Sequence, residues 1–437
     1  MQQGEEYRPF LATLVPWRPW RISRGGFRRP RAPAPSVCRL LHVTTVPSTL
    51  TFLTGQAAFL RPRGFEVLAV SSPGDELERF GAAEGVTCFA VPMARRISPF
   101  EDLVALARLF KLFRRLKPDI VDAHTPKAGL LGILAAWLAG VPVRVYHLHG
   151  LRFLTVHGLR RHLLVAAERV AGGLATQVLC VSRSYAELTS RYRLAPDRKV
   201  GVLLAGSING VDTRAFRPPG SREERRAARR ALGVPEDARV VGFVGRLARD
   251  KGIVELAEAW QRLREELPDA HLVLVGPYEE GDPVPQPVLT QLLSDPRVTM
   301  AGLRADAARC YQAFDVLALP TYREGLGMAS LEAAATAVPV VSTRVPGCTD
   351  AIVDGVTGTL VPPRDERELA RALRAYLEDP ALRRRHGAAA RRRVVQEFGQ
   401  QRIWEALHHE YLRLRARSAT VAGPAAPDSP ELTRSTS

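Results

Sequence analysis

Residues 119–149 read DIVDAHTPKAGLLGILAAWLAGVPVRVYHLH, and this stretch decides the fold class of the chain. Short apolar runs at its two ends predict strands at 119–124 and 143–149. Between them, Pro126 opens a helical pattern that continues through Trp137, because proline is well tolerated in the first turn of a helix. Two strands joined by such a helix predict a parallel pair with helices packed on the sheet.

The same alternation of strands and helices extends outward from this stretch in both directions. Further strands are predicted near 38–44, 65–71, 86–91, 177–182 and 200–204, which completes one doubly wound parallel sheet. A second series of strands is predicted near 239–245, 271–275, 298–301, 315–319, 339–342 and 358–361. The sequence therefore predicts two Rossmann-like α/β domains, and ligands of such sheets bind beyond the carboxyl ends of the strands.

The expected organisation follows from this alternation and from local composition. The predicted segments are a basic disordered tail (1–36), a first domain (37–208), a linker region (209–232), a second domain (233–395), a closing helix (396–416) and a second disordered tail (417–437). The first tail is rich in arginine and proline and has little apolar periodicity. The second is rich in proline, serine and threonine.

Composition excludes several broad classes of protein. Hydrophobic residues make up 46% of the chain and charged residues 24%, so its bulk is expected to be folded. The longest uncharged run in its central part, 128–143, is too short to cross a bilayer and contains both glycine and proline. The apolar run 10–17 follows two glutamates and precedes no cleavage site, which does not fit a signal peptide. We therefore expect a cytoplasmic chain without a transmembrane helix.

The net charge bears on the expected partners, and the cysteine content bears on metal sites and disulfides. The net charge of +17, from 62 basic and 45 acidic residues, indicates an anionic partner such as nucleic acid, a membrane surface or a phosphorylated ligand. The five cysteines are too scattered for a metal-ligand pair or a disulfide framework. They are expected to be free core thiols.

Two glycine-containing segments follow predicted strands of the second domain and have the composition of an anion site. In 245–252, GRLARDKG, glycines let the backbone approach a ligand closely, while Arg246 and Lys251 supply charge suited to a diphosphate. Lysine occurs only five times in the chain, so its use here is selective. A glycine turn with two solvated charges is the alternative interpretation.

The second segment, 320–333, reads PTYREGLGMASLEA and again places glycines at the start of a helix. Glu324 lies in the loop and Glu332 about two turns along the helix, so both could face a cleft from different depths. Carboxylates bind sugar hydroxyls well because each accepts more than one hydrogen bond. A solvated glutamate followed by a capping glutamate is the alternative interpretation.

Taken in order, several motifs resemble those of the retaining glycosyltransferases of family 4, which have the GT-B fold. The motifs of the second half are NGVDTRAF (209–216), GRLARDKG (245–252) and EGLGMASLEAAATAVPVVST (324–343). In the first half, HVTTVPSTLTFLTGQAAFLRPRGFEV (42–67) and AHTPKAGLLG (123–132) resemble a bacterial subgroup that extends polyprenyl-diphosphate-linked oligosaccharides or builds surface polysaccharide. The likeness covers roughly 37–415 and implies two Rossmann-like domains facing across a cleft.

The resemblance also implies roles for the residues that match. The expected donor-binding residues are Arg246, Lys251, Gly325, Leu326, Gly327 and Glu332. Within this set the two cations and the backbone amides would bind the nucleotide diphosphate, and the carboxylate would bind the ribose. The expected catalytic residues are Glu324, which would contact the transferred sugar, and His149, which matches the family's cleft histidine. Taken by itself, His149 is more often a core or turn histidine.

One lysine of the first domain is a candidate for binding the acceptor. Lys127 lies in the first turn of the helix opened by Pro126, where a cation is unfavourable to the helix dipole, and we expect it to bind the acceptor's diphosphate. A snorkelling lysine beside a turn is the alternative.

The helix predicted at 99–116 carries apolar residues on one face (Leu106, Leu109, Phe113) and basic residues on the other (Arg108, Lys111, Arg115). The basic face could dock on anionic headgroups. An ordinary surface helix is the alternative interpretation.

The loop after the first strand departs from the family pattern: many members of the family have paired glycines there, whereas this chain has TFLTG at 51–55. The family's contacts from that loop are therefore not assigned to this chain.

The sequence thus predicts a retaining glycosyltransferase that uses a nucleotide sugar, expected from the resemblance to be a UDP-sugar. The expected acceptor is a polyprenyl-diphosphate-linked or other glycan, and the expected location is the inner face of the cell membrane. No two aspartates are separated by one residue, so the metal-binding Asp-x-Asp of the other major transferase fold is absent, and we expect neither metal nor cofactor.

Three other functions fit parts of the sequence. An oxidoreductase is one, because the pattern Gly325-x-Gly327-x-x-Ser330 nearly matches a dinucleotide fingerprint. The pattern comes late in its domain, however, and the next strand has no acidic residue at its end. A nucleotide-sugar epimerase of GT-B-like fold would turn over the donor without an acceptor. A non-enzymatic nucleic-acid-binding protein would fit the charge, yet no zinc module is evident and aromatic residues are not concentrated in basic stretches. We therefore expect no nucleic-acid partner.

Overall fold

The computed structural model of the protein describes residues 37–422. The expected tail at 1–36 and most of the expected tail at 417–437 lie outside the described residues. Two parallel sheets form the framework of the described part.

The strands of the first sheet are β1 (Cys38–Val43), β2 (Phe65–Ser71), β3 (Thr87–Ala90), β4 (Ile120–His124), β5 (Val143–Leu148), β6 (Gln177–Cys180) and β7 (Val200–Val202). Those of the second are β8 (Arg239–Val244), β9 (Ala270–Val275), β10 (Val298–Gly302), β11 (Val316–Leu319), β12 (Val340–Thr343) and β13 (Gly358–Val361). The strand order is β3-β2-β1-β4-β5-β6-β7 in the first sheet and β10-β9-β8-β11-β12-β13 in the second. Every predicted strand is present, which confirms the two doubly wound sheets.

The helices are α1 (Gln56–Leu60), α2 (Asp75–Glu84), α3 (Pro99–Leu116), α4 (Pro126–Leu138), α5 (Gly158–Leu174), α6 (Arg183–Arg191), α7 (Arg222–Ala231), α8 (Ile253–Glu266), α9 (Gln286–Ser294), α10 (Ala307–Ala313), α11 (Met328–Ala335), α12 (Cys348–Ala351), α13 (Glu366–Glu378), α14 (Pro380–Glu397) and α15 (Gln400–Ala422). Helices α3 and α4 begin at the predicted prolines. The three basic residues predicted to line the outer face of α3 are exposed there.

Helix α4 lies unusually close to the first sheet because two of its glycines face the strands. A Cβ on Gly129 would lie 2.2 Å from the ring of Tyr146, which is buried on β5. A Cβ on Gly132 would lie 3.3 Å from both Ala123 and Val43. This packing fixes the start of α4 at the carboxyl ends of β4 and β5.

The final helix returns from the second domain to the first. Val211 and Gly399 form a parallel bridge just before α15 begins. Leu407, Tyr411 and Leu414 of α15 are buried against residues of β1 and β5 in the first sheet. Helix α15 thereby packs on the first domain, and it continues past the expected bound at 416.

Helix α7 lies in the segment predicted as a linker and packs against α10 of the second domain. Arg225 donates a hydrogen bond to one oxygen of Asp315 at 2.7 Å, and Arg229 donates to the other at 2.8 Å. Arg229 is buried, so the carboxylate compensates its charge. These ion pairs hold α7 on the second domain.

No helix within residues 37–422 is long and apolar enough to span a membrane. Four of the five cysteines expected in the core are buried, whereas Cys88 is only partly buried, and all five are free thiols.

The close packing of α4 generates a stability prediction. Gly129→Ala should lower the free energy of unfolding by about 1 to 3 kcal/mol, because the added methyl group overlaps the Tyr146 ring. Gly173→Ala on α5 is the matched control: its Cβ would meet nothing within 4 Å, so it should be neutral or slightly stabilising. Urea denaturation of both variants measures the difference. Equal stability of the two would contradict the packing described here.

Candidate active site

Loops at the carboxyl ends of the two sheets meet face to face. The loop after β11 approaches the end of β5 so closely that a Cβ on Gly325 would lie 2.1 Å from the carbonyl oxygen of His149. Beside this contact, Gly347 N donates to Ser184 Oγ at 2.9 Å, and Ser184 N donates to Asp350 at 3.2 Å. The candidate site is therefore a cleft between domains, where ligands of doubly wound sheets bind.

Lys251 and Glu324, one from each glycine-containing loop, form an ion pair beside this interdomain contact. Their Nζ and Oε2 atoms are 2.5 Å apart, and each side chain is less than one-fifth exposed. Gly252 allows the loops to approach, because its φ is +74° and its Cβ would lie 2.0 Å from the carbonyl oxygen of Pro320. Both charged residues lie at the strand ends where the sequence placed them.

Asp250 ties the same two loops together. Its carboxylate accepts a hydrogen bond from Arg323 at 2.7 Å. Its carbonyl oxygen accepts from Tyr322 N at 2.9 Å and from Thr321 Oγ1 at 3.1 Å. Because Asp250 precedes Lys251, these bonds fix the backbone of the lysine against the second loop.

Arg246 lies on the same loop as Lys251 but pairs with a different carboxylate. Its guanidinium donates to Glu279, which follows β9. Burial raises the pKa of Glu279, but hydrogen bonds from Arg246 and Gly281 N, together with the charges of Arg246 and Arg95, hold that pKa below its ordinary value. Arg95 belongs to the first domain, so Glu279 lies within electrostatic reach of both sides of the cleft.

The segment Gly325–Gly327 leads from Glu324 into the first turn of α11. Leu326 is buried, and Gly327 takes the N-cap position with a φ of +74°. The first amides of a helix have no intrahelical acceptor and favour an anion. This segment therefore brings backbone donors next to the Lys251–Glu324 pair.

Glu332 lies on α11 and is bound to a buried tyrosine. Tyr311 donates its hydroxyl to Glu332 Oε2 at 2.7 Å. Burial raises the pKa of Glu332 to about 7, against the opposing hydrogen bond from Tyr311. The first domain contains an equivalent pair, Tyr146 and Glu168, whose oxygens are also 2.7 Å apart, and burial raises the pKa of Glu168 to about 7 as well.

His149 follows β5 and is half-buried in the cleft. Its Nε2 lies 3.0 Å from Nδ1 of His124. Burial and the neighbouring His147 lower the pKa of His149 to about 3. His149 is therefore neutral at physiological pH, so one of its ring nitrogens can donate a hydrogen bond and the other can accept one.

Lys127 occupies the predicted place in the first turn of α4, and its charge is already paired. Its Nζ donates to Asp102 Oδ1 on α3 at 2.6 Å and to the carbonyl oxygen of Arg96. The lysine side chain is 15% exposed. It makes no hydrogen bond to the predicted donor-binding residues, so an acceptor phosphate would share Lys127 with Asp102.

Residues that the sequence did not predict also contribute to the site, among them Glu279, Tyr311 and His124. Glu279 and His124 lie at the ends of β9 and β4, so the rule that ligands bind at strand ends would have included them. Tyr311 lies within α10, and no pattern in the sequence connects it to Glu332.

Among the described residues, His42, Asp122 and His124 bring potential metal-binding atoms within 4.8 Å of one another. All three side chains are buried. His42 Nδ1 lies 3.0 Å from His124 Nε2, and Asp122 accepts a hydrogen bond from His147 at 2.8 Å. His42 Nδ1, His124 Nε2 and the Asp122 carboxylate are thus already used in hydrogen bonds.

The first domain carries an exposed apolar surface at the edge that bears the cleft. Helices α3 and α5 follow β3 and β5, so both begin at the carboxyl edge of the first sheet. We call the exposed side chains of this region the apolar rim: Ile97, Phe100, Leu103, Leu159 and Leu163. Phe100 is 79% exposed and Leu159 is 77% exposed. The same region carries exposed arginines at 95, 96, 152 and 160.

These arginines lie within electrostatic reach of the second domain. Burial lowers the pKa of Arg152, and the charges of Arg160, Arg323 and Arg95 lower it further. Arg323 belongs to the loop after β11. The cleft is therefore bordered by positive charge from both domains.

Family models match both domains. The description "Glycosyl transferase 4-like domain" applies to residues 50–206, and "Glycosyl transferases group 1" applies to residues 224–393. The glycosyltransferase CapM of Staphylococcus aureus, which acts in capsular polysaccharide biosynthesis, is 33% identical over 85% of this chain and 96% of its own length. The UDP-Gal:alpha-D-GlcNAc-diphosphoundecaprenol alpha-1,3-galactosyltransferase of Escherichia coli is 30% identical over 68% of this chain and 77% of its own length.

Solved structures share the fold. Anabaena HepE in complex with UDP and glucose superposes with a TM-score of 0.72 at 21% identity, covering 86% of this chain and 100% of that one. WaaG, a glycosyltransferase of lipopolysaccharide biosynthesis, superposes with a TM-score of 0.66 at 17% identity, covering 86% and 99%. The two family models match in order along the chain, CapM aligns over most of its length, and the two parallel sheets correspond to the two matched regions. The chain therefore belongs to the group 1, family 4 type of bacterial glycosyltransferases, which have the GT-B fold.

Proposed function

We propose that the protein transfers a sugar from a UDP-sugar to a polyprenyl-diphosphate-linked saccharide, with retention of configuration, during the assembly of a cell-surface polysaccharide. The observation that carries the proposal is the Lys251–Glu324 ion pair. It places a cation for phosphate and a carboxylate for sugar hydroxyls 2.5 Å apart, and the next residue, Gly325, rests on the carbonyl oxygen of His149. The names of the two relatives support the substrate classes, and retention rests on the resemblance to retaining enzymes.

The donor's diphosphate binds to Arg246, Lys251 and the amides of Gly325–Gly327. Each cation now pairs with a carboxylate, and the guanidinium has enough donors to hold Glu279 and a phosphate together. Lys251 contributes a point charge at the other end of the loop. These fixed donors stabilise the negative charge that develops on the departing nucleotide, and they do so without a metal ion.

The sugar and the ribose bind to the carboxylates. Once Lys251 turns to the phosphate, Glu324 becomes free to accept hydrogen bonds from the hydroxyls of the transferred sugar. His149 faces the same sugar from the first domain. Glu332 binds the ribose hydroxyls as a carboxylate, since its ionised form accepts more hydrogen bonds than its protonated form.

The acceptor's lipid chain lies along the apolar rim, with the membrane beneath it. Exposed side chains such as Phe100 and Leu159 enter the apolar layer, while the neighbouring arginines meet the acceptor's diphosphate and anionic headgroups. Lys127 adds a shared cation at the start of α4. The basic face of α3 continues this surface away from the cleft, so the enzyme associates peripherally with the inner face of the membrane.

The cation assignment predicts the effect of two substitutions. Arg246→Ala and Lys251→Ala should each lower kcat/KM for the donor by at least about tenfold, because a charge-assisted hydrogen bond contributes ~1.5 to 3 kcal/mol. Arg249→Ala is the matched control, since Arg249 is exposed in the same turn and its side chain forms no hydrogen bond among the described residues. Steady-state kinetics with thermal melts measures the effect. Wild-type kinetics in both variants would refute the assignment.

Variants of the two tyrosine–glutamate pairs can distinguish a role in nucleotide binding from a role in packing. Because the pKa of Glu332 is about 7 and its carboxylate form binds hydroxyls better, UDP should bind more tightly as pH rises from 6 to 8. Glu332→Gln should weaken UDP binding and flatten this pH dependence. Glu168→Gln, the control, should keep the wild-type pH dependence, because it alters an equivalent pair in the other domain. Calorimetry with UDP gives both quantities, and identical behaviour of the two variants would exclude a role for Glu332.

A transfer assay tests the proposed function itself. With a panel of UDP-sugars and a polyprenyl-diphosphate-linked saccharide, the enzyme should release UDP only when the acceptor is present. The same saccharide without its lipid should be a poor acceptor. Paired Phe100→Asp and Leu159→Asp substitutions should raise the acceptor's KM and reduce sedimentation with anionic vesicles, since charge replaces the exposed apolar side chains.

Controls for this assay come from the chain and from the alternative function. Leu293→Asp, at a residue 56% exposed on α9 of the second domain, should leave acceptor use and sedimentation unchanged. Interconversion of the UDP-sugar without any acceptor would identify an epimerase instead. Equal use of lipid-linked and lipid-free saccharides would refute the proposed acceptor class.

A further inference from the structure

A chain of histidines runs through the first sheet to the cleft. His42 of β1 and His124 of β4 are buried and lie on neighbouring strands. His42 Nδ1 is 3.0 Å from His124 Nε2, and His124 Nδ1 is 3.0 Å from His149 Nε2. Two successive hydrogen bonds therefore connect the fully buried imidazole of His42 to the half-buried imidazole of His149 at the cleft.

The three imidazoles of this histidine chain, those of His42, His124 and His149, are neutral at physiological pH. Burial lowers the pKa of His42 to about 4, that of His149 to about 3, and that of His124 well below its ordinary value. A neutral imidazole has one donor nitrogen and one acceptor nitrogen. Because His124 bonds through both, the two hydrogen bonds must point in the same direction along the chain.

The buried end of the chain determines that direction. His42 Nε2 is buried and has no hydrogen-bond partner among the described residues. If His42 accepted at Nδ1, its proton would lie on Nε2 as a buried N–H without an acceptor, a state that folded proteins rarely contain. If His42 donates from Nδ1, only a nitrogen lone pair is left unpaired. The hydrogen bonds therefore run from His42 to His124 and on to His149.

A carboxylate next to the chain is occupied by other donors. Asp122 Oδ1 lies 3.6 Å from His124 Nε2, which is beyond hydrogen-bond distance. Asp122 accepts instead from His147 Nδ1 at 2.8 Å and from the hydroxyl of Tyr411 on α15 at 2.5 Å. These bonds hold the strand that carries His124 and attach it to the closing helix.

We propose that His42 and His124 are positioning residues that hold His149 with its proton on Nδ1, so that this nitrogen donates a hydrogen bond to the sugar of the bound donor. His149 accepts at Nε2 from His124, and its Nδ1 has no partner among the described residues. The role in sugar binding rests on the proposed function, whereas the position of the proton does not.

Two substitutions at His42 test the proposal. In His42→Leu the donor to His124 Nε2 is lost, so the nearby Asp122 carboxylate draws the His124 proton to Nε2 and His149 becomes protonated at Nε2. In His42→Asn an amide nitrogen takes the place of Nδ1 and can still donate. The leucine variant should shift the tautomer of His149, and the asparagine variant of similar volume should not.

Nitrogen-15 NMR of the full chain with labelled histidine reads the tautomer directly, with the His149 signals assigned by their loss in His149→Gln. The leucine variant should also lower kcat about tenfold, the effect of one hydrogen bond, while UDP affinity stays unchanged. The asparagine variant should restore kcat. His386→Leu, at a buried histidine bonded to Tyr376 far along the chain, should leave tautomer and kcat unaffected.

Several outcomes would overturn the proposal. These are a proton on Nε2 of His149 in the wild-type protein, identical tautomers in the two His42 variants, a shift in His386→Leu equal to that in His42→Leu, or a stoichiometric metal ion in the purified chain. If the wild-type protein transfers no sugar, the proposed function fails, and the NMR measurement on the ligand-free protein still decides the position of the proton.

Discussion

The contact between Gly325 and the carbonyl oxygen of His149 is the constraint on which the rest of the site depends. No side chain fits at this position, since its first carbon would lie 2.1 Å from that oxygen. The backbone after β11 can therefore rest on the residue that follows β5, and this brings the loop that carries Glu324 and its partner Lys251 against the first domain. The chemistry of the cleft follows from a place where two backbones touch.

The charges around this contact are already compensated before any ligand arrives. Lys251 pairs with Glu324, Arg246 with Glu279, and Lys127 with Asp102. A ligand must therefore compete with internal carboxylates, and only the difference between the two sets of interactions contributes to its binding. A diphosphate can bind both cations of the 245–252 loop at once, whereas a single phosphate would bind only one of them and displace only one carboxylate. The carboxylate released in exchange becomes available for hydroxyl groups.

The sequence predicted those parts of the structure that depend on local patterns. Strand periodicity and the prolines at 99 and 126 gave every strand and the start of two helices, and the strand-end rule located Lys251 and Glu324. The partners of these residues were not predicted, because they depend on which strands become neighbours. His42 and His124 are 82 positions apart, and they meet only because β4 inserts beside β1 in the sheet. Asp102 and Tyr311 lie in helices whose periodicity shows which face is buried but not which residue they contact.

The chain of histidines in the first sheet lowers the stability of its domain relative to a purely hydrophobic core. His42 Nε2 and the Nε2 atom of His147, which bonds to Asp122 beside the histidine chain, lack partners among the described residues. Apolar side chains of similar size would avoid that cost. Such a cost is typical of positions where orientation matters more than stability. Tyr411 extends the network to α15, which packs on the first domain after the second is complete. The helix that closes the fold is thus connected by hydrogen bonds to the strand that supports His149, so the position of α15 and the geometry of the cleft depend on the same buried groups.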